Sequence, residues 1–137
     1  MPDVKIGTSD ACLVLTPLDP MDAPPQTLTA ELHLDGLAAK VVIVHHYASG
    51  FRDLVDFFDL QAQDWRGWEG VRQWESLEGD LKIEARHVYG HVQLRVTVRK
   101  MLTDWGNDGW FATGDLTIEP GEQLTRVAAD VRALAAG

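Results

Sequence analysis

Apolar residues recur every second position along most of this chain and at three- and four-residue spacing in two stretches. Val4-Lys5-Ile6 and Cys12-Leu13-Val14-Leu15 read as short strands about a Gly-Thr-Ser-Asp turn. From Leu28 to Asp35 the alternation is strict, with Leu28, Ala30, Leu32 and Leu34 on one face and Thr29, Glu31, His33 and Asp35 on the other. That pattern predicts a half-buried strand. Val41-Val42-Ile43-Val44 is apolar on both faces and predicts a central, covered strand. Between Leu15 and Leu28, four of the six prolines fall from Pro17 to Pro25. Proline removes backbone donors and restricts its neighbour, so this stretch is expected to be a loop.

Past Gly50 the period changes. Phe51, Leu54, Val55, Phe58, Ala62 and Trp65 mark one stripe of an amphipathic helix, and Gly67 is placed to cap its end. Asp53, Asp56 and Asp59 fall on the outer face. The next segment specifies its own register. If Glu78-Gly79 and Tyr89-Gly90 are two-residue turns, Val88 faces His91, Ala85 faces Leu94, Ile83 faces Val96 and Leu81 faces Val98. The same register sets Glu84 against Arg95 and Asp80 against Arg99 outside. Across the first turn it sets Trp74 against Ile83 and Glu75 against Lys82. A slip of one residue would turn the whole apolar set to water, so the meander is well specified. A fourth strand is expected from about Gly109 to Ile118. Pro120 then opens a last helix striped by Leu124, Val127, Ala128, Val131 and Leu134.

The predicted order is β-β-β-β-α-β-β-β-β-α. It describes one α+β domain over residues 1–137: a two-layer arrangement of a largely antiparallel sheet of seven to eight strands with two helices on one face. The length of 137 residues suits one domain.

Charge narrows the function classes. The net charge is −9, and the excess of acids over bases lies at both ends, with 6 acids and 2 bases in residues 1–50 and again in 101–137. The middle, 51–100, holds 9 acids and 8 bases. Acidic flanks argue against nucleic acid, which needs a concentrated basic face, and against an anionic membrane surface. A protein partner, if there is one, is expected to be basic. No apolar stretch is long enough for a membrane span, and the first residues lack a basic and then apolar leader, so a cytoplasmic location is expected.

Motif chemistry is sparse. The chain has no phosphate-binding glycine loop, no serine nucleophile elbow and no His-Glu-x-x-His helix. Cys12, the single cysteine, excludes an internal disulfide and reads as a packing residue. His45 and His46 point to opposite faces of one strand, and His87 and His91 to opposite faces of the meander, so no metal site is assigned. No catalytic residue and no cofactor is assigned either. Two features remain. Asp53, Asp56 and Asp59 form an acidic ridge suited to docking a basic partner, with Trp68 and Arg72 as candidate anchors, since tryptophan and arginine dominate interface energetics. The five tryptophans are the other. Trp65 and Trp74 read as core, and Trp68, between two glycines, has the best claim to exposure. An alternative is a small-ligand or enzyme pocket between helix and sheet near Trp68, Trp105 and Trp110. A homodimer through an edge strand or the outer sheet face is a third possibility.

Those residues carry a resemblance. The run Phe57-Phe58-x2-Gln61-Ala62-x2-Trp65-Arg66-Gly67-Trp68-x-Gly70-x-Arg72-x-Trp74-x-Ser76-Leu77-Glu78, then Gly90-His91-Val92, then Glu119-Pro120-Gly121-Glu122-Gln123-Leu124, resembles a family of small actinobacterial proteins that form a domain of unknown function. The likeness covers about residues 50–137. It implies an intracellular bacterial accessory protein and brings no catalytic residues with it. In size and charge such a chain is similar to immunity proteins that neutralise toxins, an analogy of fold and composition only. The expectation is a non-enzymatic interaction module of accessory, regulatory or immunity-like role.

Overall fold

The computed structural model describes residues 3–100 and 109–137. The order is β1 (Val4–Gly7), β2 (Cys12–Pro17), β3 (Thr27–Leu34), β4 (Leu37–Val44), α1 (Arg52–Gln63), β5 (Arg72–Glu75), β6 (Leu81–Val88), β7 (His91–Lys100), β8 (Trp110–Ile118) and α2 (Glu122–Ala136). This is the expected α+β succession. The strands divide, however, into two four-stranded antiparallel sheets, β1-β2-β3-β4 and β5-β6-β7-β8, rather than running through one. Every pairing joins neighbours in the chain, and α1 occupies the one long connection, so nothing local draws β5 onto β4.

The second sheet has the register that its side chains predict. Leu81 opposes Val98, Ile83 opposes Val96, Ala85 opposes Leu94 and Val88 opposes His91, with Trp74 against Ile83 across the β5–β6 turn. Tyr89 (φ 51°) and Gly90 (φ 79°) both take the left-handed conformation that the right-handed twist of a two-residue hairpin demands. The first sheet departs from expectation at β4. It is an edge strand, with Val41 and Ile43 buried but Val42 and Val44 exposed at 42% and 38%. Only one face of it is covered.

The inner faces of both sheets and the stripes of both helices share one hydrophobic core. β1 touches β8, and β3 and β4 touch β7; the helices pack on each other, α2 against β1 and α1 against β5. Gly114 marks a close approach of the sheets, where the Leu34 side chain fills the place a Cβ would take.

Both helices shift slightly from their sequence boundaries. α1 ends at Gln63, two residues short of Trp65, so Trp65 leaves the stripe and is 47% exposed. Gln61 takes a core position instead, fully buried, with its amide nitrogen donating to the Phe57 carbonyl at 3.1 Å. In α2 the cap is Gly121 and Pro120 lies one residue before it, while all five stripe residues are buried as expected. The Gln123 side chain reaches back to accept the Glu119 N–H at 2.8 Å, satisfying a backbone donor ahead of the first turn.

Candidate functional site

α1 presents the acidic residues. Its first turn carries Asp53, whose Oδ1 accepts the Leu54 N–H at 2.9 Å, close to the positive end of the helix dipole. A step of three residues turns back by about 60° around a helix of 3.6 residues per turn, so the three aspartates fan out instead of lying in line. Asp53 lines a depression of about 230 Å³ together with His46, Trp74, Glu75 and Leu77. Asp56 and Asp59 line a separate open groove of about 860 Å³ between the proline loop, the start of α1 and the end of α2. Asp53 and Asp56 are exposed. Asp59 is half-buried and holds the Arg132 guanidinium of α2, which joins the two helices across the groove wall.

Asp22, His45 and Arg52 complete the charged and titratable lining of that groove. The proline loop forms its far wall through Pro24 and Pro25. The His45 ring lies 6.3 Å from that of Phe51, tilted by 47°. This concavity has no signature in the sequence because its walls come from three distant segments. The prolines were its only local signal, marking a loop without saying what it faces.

The tryptophan-glycine run behaves differently from the surface anchor expected of it. Trp68 is half-buried, and the Arg72 guanidinium stacks on its ring at 4.6 Å from the centroid. Arg72 also donates from Nη2 to Asp64 at 2.7 Å. The His87 ring stands edge-on to Trp68, 5.6 Å between centroids. Arg72 opposes Ala85 on the inner face of the second sheet, which is why it turns inward although it is charged. Trp74 is buried as expected, and Trp110 is 41% exposed at the start of β8. Trp105 lies outside the described residues. Neither Trp68 nor Trp110 lines the 860 Å³ groove, so the tryptophan-lined pocket considered from sequence is not that cavity.

The outer face of the second sheet is laced with pairs. Arg95 donates to both carboxylate oxygens of Asp115 at 2.9 and 3.3 Å, and this holds the Asp115 carboxyl below its ordinary value. Arg99 donates to the Gly79 carbonyl and approaches Glu75, and Arg86 donates to Gln93. Burial, aided by Glu78, raises the Asp80 carboxyl at the β6 start. His33 lies beside Glu31, and His91 beside Glu119. Cys12 is buried. Among the described residues no group of three or more His, Cys, Asp and Glu side chains is arranged to hold a metal ion, and no helix is long and apolar enough to cross a membrane.

No curated protein and no solved structure matches this chain. A family model does match, over residues 5–137, and so takes in the first sheet, which carries none of the motifs read from the sequence. The chain therefore belongs to the family of unknown function DUF6228.

Proposed function

We propose that this protein is a non-enzymatic, cytoplasmic interaction module, of accessory, regulatory or immunity-like role, that binds a basic partner protein through the exposed face of α1 and the adjoining groove. The observation that carries the reading is the placement of Asp53 and Asp56. Both are exposed, one helical turn apart, and each opens onto a concavity of the surface. Asp22 and Asp59 add two carboxylates to the larger groove, against the guanidiniums of Arg52 and Arg132, the second of which is already held by Asp59. The net charge of −9 strengthens attraction toward a basic partner at long range. Trp68 and Arg72 are turned inward and stand outside this surface.

The test is capture from host lysate with the wild-type protein and with the Asp53→Lys/Asp56→Lys variant, followed by association kinetics with the recovered partner. Both substitutions lie at exposed helical positions and leave the core intact. Charge reversal is expected to slow association by about tenfold at low salt and to flatten its salt dependence, because rim charges act mainly on the encounter rate. Equal kinetics for the two proteins would remove the α1 face from the interface.

A further inference from the structure

The inward nest at the tryptophan-glycine run has an imbalance that packing does not explain. Around Trp68, three ring or guanidinium nitrogens are shut away from solvent without a hydrogen-bond partner: Trp68 Nε1, Arg72 Nη1 and His87 Nε2. The indole and guanidinium nitrogens can only donate, and the imidazole nitrogen donates in one tautomer and when protonated. Of the two other unpartnered buried atoms, Trp74 Nε1 is a donor and Gln61 Oε1 an acceptor. Three of the five such atoms among the described residues therefore lie in the nest.

Asp64 is taken up by Arg72 Nη2 at 2.7 Å. Nη1 remains free on the same planar fork, which can serve two acceptors at once. The backbone of Gly67, at φ 136°, comes so close that a Cβ there would stand 3.4 Å from His87 Nδ1. The loop therefore runs alongside the imidazole, which stands edge-on to Trp68. A quarter of the Arg72 side chain stays exposed, although its Nη1 is buried. Gly67 and Gly70, both at positive φ, lie on either side of Trp68 in the loop and take backbone angles that L side chains rarely adopt.

We propose that Trp68, Arg72 and His87 form a binding site for a small oxyanion, the phosphate or carboxylate group of a free small molecule. Arg72 supplies the charge, while Trp68 and His87 supply directed donors that fix the oxygens. This site is separate from the α1 surface and does not rest on the partner-binding reading.

The experiment is titration of the full-length protein with inorganic phosphate and, separately, with acetate at constant ionic strength, read by tryptophan fluorescence and by Tm. A saturable fluorescence change with a matching rise in Tm is expected for at least one of the two. Phosphate alone would identify a tetrahedral ligand group and acetate alone a planar one. Arg72→Met is expected to weaken binding by about tenfold or more, the usual loss for a charge-assisted hydrogen bond. Trp68→Phe, which keeps a ring over the guanidinium but removes a donor, and His87→Phe cover the case in which Arg72→Met does not fold. Failure of both anions to give a saturable change overturns the proposal. So does a response that is the same in the wild type and in the folded variants, which would mark a general salt effect.

Discussion

Gly114 lies on the inner face of β8, and any side chain there would overlap Leu34, which reaches across from the end of β3. The position is held by space and not by backbone angle, in contrast to the turn glycines. Gly114→Ala is expected to destabilise the protein by about 1–3 kcal/mol, the ordinary cost of overpacking a well-filled core. Shortening the obstructing side chain in the same molecule, Gly114→Ala with Leu34→Ala, should cost less than the sum of the two single changes. A double-mutant cycle from urea midpoints measures this coupling. Additive costs would show that the two residues do not constrain each other. Nothing in the alternation of β8 announces the contact, since a glycine inside a strand pattern is compatible with a bulge as readily as with a close neighbour.

At the scale of elements, the β6–β7 hairpin shows a local rule being met at a cost. Its two-residue turn needs positive φ at both central positions, and Tyr89 supplies one of them at 51° while 96% exposed. A tyrosine gains no packing there to offset the strain. Tyr89→Asn is expected to stabilise the hairpin by about 1 kcal/mol, because asparagine tolerates this conformation and leads the preferred Asn-Gly turn. An unchanged or lowered urea midpoint would mean that the exposed ring makes a contact in the folded protein. The hairpin register itself was legible because apolar and charged pairs converge on a single alignment. α1 was legible only in part: its stripe continues to Trp65, but the helix stops at Gln63 and the chain turns away toward the nest beside β5 and β6.

On the scale of the whole molecule, two sheets and two helices share one core, so the first four strands are not an independent addition. Leu94, Val96 and Leu116 on the second sheet are buried within the cluster that also holds Leu28, Leu32 and Ile43 of the first. Residues 51–137 expressed alone are therefore expected to lack a cooperative thermal transition, whereas the full chain should unfold in one step with coincident near- and far-ultraviolet circular dichroism curves. A sharp transition in the shorter chain would show that the second sheet and the helices fold without the first. The family match over residues 5–137 includes most of β1 and all of the remaining strands.

What the sequence by itself determined is the part of this protein governed by short-range pairing: the order of elements, the hairpin registers, the α2 stripe and the burial of Cys12 and Trp74. Each depends on neighbours within a few residues or across one tight turn, where periodicity and turn chemistry act directly. The tertiary structure alone decided the division into two sheets, the exposure of one face of β4, the inward turn of Arg72 and the groove walled by residues near 22, 56 and 132. These follow from which faces meet once the elements pack, and that depends on segments far apart in the chain whose complementarity is spread over many side chains. The acidic ridge shows both sides. Its residues and their spacing were visible at once, but helical rotation sends Asp53 to one concavity and Asp59 to another, where Arg132 arrives from a helix dozens of residues away.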